Sequence, residues 1–478
     1  MSRTLSSPPP PTAGSAEPTS PLPDTPPNGR PAGGLKQRHL SMIALGGVIG
    51  AGLFVGSGAG IAAAGPSIVL AYAVSGLLVM FVMRMLGEMS AANPASGSFS
   101  VHADRALGSW AGFTAGWMFW ILLVVGVAIE AIGAAHIVQG WLPGTPSWMW
   151  VLLFMALFCG TNLAAVSSFG EFEFWFAALK IGAIALFLGL GVLAILGVLP
   201  GTDAPGTAHL LHEGGFLPTG VNGLLTGLLA SVVAYGGLET VTIAAAESED
   251  PARGVAKAVR TTMWRIGIVY VGSMLVIVTL VPWHDKAVTE SGPYAAVLDR
   301  LGVPGGGQIM NVVVLIALLS AMNANIYGSS RMAHSLVTRG QGPKVLGKVS
   351  GAGRVPRRAV LASCGFGFFA VLLSYWWPTT VFAWLLNMVG AVVLVVWGFI
   401  GVSQLRLRRR LEREAPGKLV VRMWAFPVLT WVTLAGVAGT LVLMTLDTDT
   451  RVQLYSTGGL AVALAVTGYV RQRAAEKR

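Results

Sequence analysis

Apolar residues run through this chain in long blocks separated by short polar stretches, from about residue 40 to residue 470. Many of the blocks reach eighteen residues or more, long enough as α-helices to cross a hydrocarbon core about 30 Å thick. Twelve spans are predicted. The first six cover 40–63, 67–89, 110–140, 147–166, 173–198 and 220–246; the rest cover 259–281, 308–334, 359–376, 380–403, 423–445 and 453–470. Ahead of them, residues 1–34 hold ten prolines among Ser, Thr and Gly with no apolar period, the composition of a disordered tail. The tail has no signal-peptide apolar region, so the first span is expected to direct insertion.

Composition agrees with this pattern. The chain is 54% hydrophobic and 11% charged, where a soluble chain would carry about 25% charged residues. The net charge of +11 raises the question of nucleic acid, and its placement answers it. An even number of spans puts both termini on one side. Of the 32 Lys and Arg, only Lys286, Arg300 and Arg451 then fall in loops of the other side, and Lys180 lies within a span. The positive-inside rule therefore expects both termini in the cytoplasm, with the basic charge setting topology and no nucleic-acid partner. The basic loop 331–358 and the run SQLRLRRR from Ser403 to Arg410 read as orientation signals touching anionic membrane lipid. Cys159 and Cys364 both lie inside apolar blocks, without CxxC spacing or a Cys/His cluster, so no metal, redox role or cofactor is expected.

Two spans are interrupted. The first opens with GGVIGAGLFVGSG, Gly46 to Gly58, and the sixth contains VVAYGGLET, Val232 to Thr240. Each interior glycine costs a helix roughly 1 kcal/mol relative to alanine, although small residues also let helices pack closely. Taking the chain as two five-helix halves, spans 1–5 and 6–10, the two interruptions fall on the first helix of each. Paired interruptions of that kind point to a transporter binding site between inverted repeats. A half-helix starting near Gly50, Ala51 and Gly52 would present free N–H groups and the positive end of its dipole to a carboxylate. A half-helix ending near Val233, Ala234 and Gly236 would present carbonyls to an ammonium. A zwitterion such as an amino acid suits that pair of ends.

Charge at mid-membrane costs at least roughly 2.5–3.5 kcal/mol, so each such residue needs a reason. Lys180, in the fifth span, is read as a proton-coupling residue that ties that span to the first and eighth, or as a structural ion pair. Ser320, Asn323 and Tyr327 stand at i, i+3 and i+7 on one face of the eighth span, where they would line a cavity or bond between helices. Glu130 and Glu239 are either protonatable relay groups or carboxylates that hold an unwound segment in shape; for Glu239 the structural-plus-gating role is preferred. Arg84 and Glu88, at i and i+4, are expected to pair. His136 reads as a satisfied polar tip.

At these residues the chain resembles the amino acid permeases of the amino acid–polyamine–organocation superfamily, from GGLKQRH (Gly33 to His39) almost to the end. The resemblance is carried by the first-span string and by AGPSIVLAY (Ala64 to Tyr72), LGEMSAANPASGSFS (Leu86 to Ser100), WAGFTAGWMFW (Trp110 to Trp120) and GEFEFWFAALK (Gly170 to Lys180). Within that family it is most similar to γ-aminobutyrate permeases, through ETVTIAAAESEDP (Glu239 to Pro251), SQLRLRRR and VRMWAFPVLTW (Val421 to Trp431). The resemblance implies an all-α integral membrane fold of twelve helices, a five-plus-five inverted repeat with two extra C-terminal helices. It implies proton-driven uptake of an amino acid across the cell membrane, with substrate backbone contacts on Ile49, Gly50, Ala51, Gly52, Val233, Ala234 and Gly236. Many relatives carry phenylalanine at the place of Val233 and a larger residue at that of Gly236, so both positions are expected to leave extra space. The expected boundaries are a tail over 1–34, repeats over 35–198 and 215–403, extra helices over 423–470 and a cytoplasmic C-terminus over 471–478.

Other functions find less support. An intramembrane enzyme would need a nucleophile–base pair or metal cluster, and no GxSxG, HExxH or Asp/His cluster occurs within the spans. A channel would show repeated pore segments. Among substrates, an α-amino acid such as proline, histidine, arginine or an aromatic one is the alternative to γ-aminobutyrate, and amino acid sensing is a more distant one.

Overall fold

Inside lipid every backbone N–H and C=O needs a partner within the protein, and a helix supplies it segment by segment. The computed structural model describes residues 42, 46, 49–95, 97–164, 166–199, 204–242, 251–348, 356–378, 380–446 and 448–477, and among them it contains helices and no strand. The tail 1–34 and the stretch 243–250 lie outside the described residues. Eight helical stretches are long and apolar enough to cross a membrane, and the shorter apolar helices Ser147–Leu163 and Gly220–Ala234 add two more.

The first of these stretches, Ala51–Ala92, is a hairpin. It consists of α1 (Ala51–Phe54), α2 (Gly56–Ala64) and α3 (Ile68–Ala92). The reversal comes at Gly65, whose φ of +60° and close approach to Pro218 both exclude a side chain. Then come α4 (Ser98–Leu107), α5 (Ser109–Trp141), α6 (Ser147–Ala164) and α7 (Val166–Ile195). The second half begins with α8 (Gly220–Ala234) and α9 (Pro251–Arg265), which continues through a π-helical turn at Ile266–Val271 into α10 (Gly272–Leu280). Two short helices, α11 (Ala287–Glu290) and α12 (Pro293–Arg300), precede α13 (Gly306–Thr338) and α14 (Arg357–Trp376). The chain closes with α15 (Val381–Glu414), α16 (Val428–Leu446) and α17 (Thr448–Glu476). Each predicted span thus has a helical counterpart, and the protein is an all-α, multi-span membrane protein.

The helix ends differ from the predicted ones where water-side residues keep the helix going. The tenth span was expected to stop at residue 403 and α15 runs to Glu414, because Arg408–Glu412 and Arg410–Glu414 pair one turn apart. The twelfth was expected to end at residue 470 and α17 reaches Glu476, where Gln472 donates to the Glu476 carboxylate. The eleventh was expected from residue 423 and begins at Val428, since Ala425 has φ +39°, outside the helical region.

At the centre, α5 packs along much of its length against α13. The α2 and α8 helices run antiparallel, Gly52 lying against Ala234, Gly60 against Ala230 and Ala64 against Gly227. At the end that carries most of the basic residues, a buried carboxylate ties three elements together. Glu88 of α3 accepts from Gln404 Nε2 at 2.8 Å and from Arg408 Nη1 and the Met423 amide, both at 2.5 Å. The expected Arg84–Glu88 pair is therefore not formed. Arg408 of α15, within the arginine-rich run, takes Glu88 instead, and Arg84 donates from Nε to the Arg422 carbonyl at 2.8 Å.

Candidate functional site

Both glycine-rich interruptions are real breaks in the main chain. At Gly50 the backbone is extended, with φ −147° and ψ −149°, and α1 starts on its far side. Leu53 and Phe54 donate to the Gly50 carbonyl at 3.1 Å, so the first helical turn is closed while the Ala51 amide points ahead of it. In the sixth span α8 ends at Ala234, residues 235–239 form turns around Gly237 at φ +92°, and helical backbone resumes at Thr240. Only glycine adopts that φ without strain. Tyr235 and Gly236 donate to the carbonyls of Val232 and Val233, which partly satisfies the expected free carbonyl end. The carbonyls of Ala234 and Gly236 accept no such turn bond among the described residues.

The amide end of the first break is already occupied by a side chain. Glu130 of α5 accepts the Ala51 N–H with both oxygens, at 2.9 and 3.1 Å. Gly50 permits this approach: a Cβ there would stand 2.2 Å from Glu130 Oε1. Ile49 is buried beside it and donates to the Gly46 carbonyl at 3.1 Å. Gly52 packs on the other break, where a Cβ would meet Ala234 Cα at 2.8 Å and the Val233 carbonyl at 3.2 Å. The amide end and the carbonyl end thus touch, with a protein carboxylate at the place expected for a substrate carboxylate.

Glu239 holds the second break. Its Oε2 accepts the Gly237 amide at 3.1 Å, and its Oε1 takes a short hydrogen bond from Trp397 Nε1 of α15. Val233 faces Gly390 of the same helix, and a Cβ on Gly236 would come within 3.0 Å of Val393. The extra space expected from the small residues at 233 and 236 is accordingly filled by the tenth span.

Lys180 of α7 is fully buried and donates from Nζ to Ser320 Oγ at 2.9 Å. Ser320 in turn donates to Glu173 Oε2 at 2.8 Å, and Glu173 Oε1 lies 3.6 Å from Nζ. The link to the eighth span is therefore direct. The first span touches α7 one turn away, where Gly46 packs on Ala177. Glu173 was not singled out from the sequence, though its i−7 spacing from Lys180 places it two turns back on the same face. Asn323 accepts from Asn162 Nδ2 of α6 at 2.7 Å. Tyr327 lies farther along, its ring beneath the Arg331 guanidinium at 5.0 Å. Ser320, Asn323 and Tyr327 thus serve three different contacts along α13.

A vestibule of about 440 Å³ opens from the end opposite the basic one. Phe54, Gly133, His136, Glu290 and Phe382 are among its walls, and Gly133 stands one turn from Glu130 and 3.8 Å from the Ala51 side chain measured from an added Cβ. The vestibule ends short of the amide end, since Ala51 and Glu130 are buried beneath it. Among the described residues no cluster of His, Cys, Asp and Glu could hold a metal ion.

Comparison with known proteins bears on the family and the fold. Residues 39–476 match the family described as amino acid permease. The chain is 44% identical over 445 residues to the γ-aminobutyric acid permease of Bacillus subtilis, covering 93% of this chain and 94% of that one. It is 42% identical to the γ-aminobutyric acid permease of Escherichia coli K12, covering 91% and 93%. Similarity to the aromatic amino acid transport protein of Corynebacterium glutamicum is of the same order, 45% over 88% of this chain and 91% of the other. Among solved structures, a mutant of the Eremococcus coleocola manganese transporter superposes with a TM-score of 0.59 at 15% identity, covering 92% of this chain and 95% of that one. That likeness speaks for the fold alone.

Proposed function

The chain belongs to the amino acid permease family, and on that premise we propose that it carries γ-aminobutyrate into the cell together with a proton. It is a transporter and not an enzyme. The reading places it in the cell membrane with the basic end, and both termini, in the cytoplasm. The vestibule then opens outward, as an importer requires.

One observation carries the mechanism: Glu130 sits on the Ala51 amide with both oxygens. A substrate carboxylate that seeks the same amide meets a carboxylate already there, and two anions on one donor repel. A proton on Glu130 removes the repulsion and loosens its hold on the amide. Proton and substrate therefore favour each other's binding, by the same factor in both directions. The ammonium end would turn to the carbonyls of Ala234 and Gly236, which requires Gly52 and Ala234 to part. Ile49, Gly50, Ala51, Gly52 and Val233 complete the proposed seat. Glu239 keeps the second break open to that role by holding Gly237.

The energetics make the proton useful. A zwitterion carries no net charge, and one co-transported proton adds roughly 2.3 kcal/mol per 100 mV. At about 1.4 kcal/mol per decade this supports a roughly fifty-fold gradient. Lys180 supplies a fixed cation between the fifth and eighth spans, in place of a bound sodium ion, and is the second candidate for a proton-coupling residue. Its partner Glu173 shapes the test, because Lys180→Ala alone leaves a buried carboxylate unpaired. The double variant Lys180→Met/Glu173→Gln is expected to keep substrate exchange and lose proton-driven accumulation. Full accumulation at unchanged membrane abundance removes Lys180 from the coupling.

Substrate identity rests on the relatives. Uptake of labelled γ-aminobutyrate in the presence of unlabelled amino acids tests it, with γ-aminobutyrate expected to compete best. A better competitor among the aromatic amino acids, proline, histidine or arginine would reassign the substrate and leave the transport reading intact.

A further inference from the structure

Beside the basic end, α9, α3 and the segment before α16 enclose a groove of about 710 Å³ that the transport site does not use. Arg253, Lys257 and Arg260 stand on one face of α9 at i, i+4 and i+7, and Arg84 of α3 faces them. Trp424 closes the groove with Val420 and Val421. Arg84 is fixed there by its bond to the Arg422 carbonyl and by the Trp424 ring, whose centroid lies 4.8 Å from its guanidinium carbon. Among the described residues no carboxylate forms an ion pair with Arg84, Lys257 or Arg260. An arginine inside a span needs a reason, and Glu88, its expected partner, belongs to Arg408.

Each wall continues from the mouth of the groove into exposed apolar surface farther along its helix. On α9 and the turn after it, Trp264 is 70% exposed and Ile268 follows one turn on. On α16, Val428 is 62% exposed, and Trp431 and Val432 follow. On α3, Leu77 is 49% exposed, with Val74 and Leu70 beyond. Two helices, α3 and α9, thus run from cationic at the mouth to aliphatic below, and the third wall runs from Trp424 into the apolar face of α16. A dissolved anion would use only the cations. A phospholipid uses the whole length, its phosphate among the cations and its acyl chains against the aliphatic strip.

The geometry points to a binding site for one phospholipid with an anionic headgroup, seated between α3, α9 and α16. Seated there, the lipid bridges the hairpin of the first half to the seventh and eleventh spans. Glu247, Glu249 and Asp250 precede α9 in the sequence, so the test rests on Lys257, Arg260 and Arg84 and not on Arg253.

The full chain is purified in mild detergent, loaded with phosphatidylglycerol or phosphatidylcholine, and the lipids retained are counted by native mass spectrometry. Phosphatidylglycerol is expected to stay, one per chain, at a washing step that removes phosphatidylcholine. The double variant Lys257→Gln/Arg260→Gln is expected to retain at least tenfold less, while Lys257→Arg/Arg260→Lys keeps it. Neutralising Arg409 and Arg413, at the far end of α15, is expected to leave retention unchanged. Equal retention of the two lipids, or equal loss in the Arg409/Arg413 variant, overturns the site. Displacement of phosphatidylglycerol by millimolar inorganic phosphate or glycerol phosphate overturns the lipid assignment in favour of a soluble anion. Arg84→Gln replaces the double variant should the latter fail to purify, with the same outcomes.

Discussion

At the residue scale, the proposed transport depends on what a missing Cβ and a single proton do. Gly50 is glycine because Glu130 stands where its side chain would be, 2.2 Å from an added Cβ. Gly50→Ala is expected to abolish uptake at unchanged membrane abundance, as measured by labelled substrate in cells, whereas a substitution at Gly160, where an added Cβ meets nothing within 4 Å, leaves uptake intact. A second residue shapes stability rather than transport. His102 of α4 is buried against Ser90 Oγ at 3.1 Å, and burial, helped by Arg105, pushes its pKa down from 6.5 to about 3. The folded state prefers the neutral ring, so its contribution is complete above the ordinary value and is lost as pH falls from about 6.5 toward 3, by up to about 1.4 kcal/mol per pH unit. Thermal unfolding in detergent between pH 6.5 and 4 is expected to show a shallower decline for His102→Gln than for the parent. The sequence made Gly50, Ala51 and Glu130 separately visible as glycine cluster and intramembrane acid. Their meeting was not legible, because a sequence separation of 79 between Ala51 and Glu130 carries no sign of register between two spans.

At the element scale, the broken sixth span needs an external hold, since a turn inside a membrane leaves amides to be satisfied. Glu239 provides it by bridging Gly237 and Trp397. Trp397→Phe removes a hydrogen bond to a buried carboxylate and is expected to cost about 1.5–3 kcal/mol, read as a lowered unfolding midpoint in detergent. It is also expected to weaken substrate binding, because the carbonyls of Ala234 and Gly236 lose their support. The break itself was readable from Gly236–Gly237 beside an acid. Its partner on α15 was not, as one tryptophan in an apolar block looks like any other. The same limit hid Glu173, and it reversed the reading of Val233 and Gly236, whose small size is matched by Gly390, Val389 and Val393.

At the scale of the whole molecule, the multi-span all-α architecture followed from block length alone, because lipid demands helices of nearly fixed length. Their ends were less legible where arginine–glutamate pairs carry a helix into water. Packing between spans depends on pairs such as Glu88–Arg408, which binds the tenth span to the first half. Arg408→Met leaves Glu88 buried with its charge uncompensated and is expected to destabilise the fold by about 3–5 kcal/mol; pairing it with Glu88→Gln should restore most of the unfolding midpoint. The central claim joins all three scales: a proton on Glu130 vacates the Ala51 amide for a substrate carboxylate. Equilibrium binding of the preferred amino acid, measured from pH 5 to 8 on the parent and on Glu130→Gln, tests it most directly. Affinity is expected to rise as pH falls in the parent, and Glu130→Gln is expected to bind with an affinity independent of pH. A parent-like pH dependence in Glu130→Gln would contradict it.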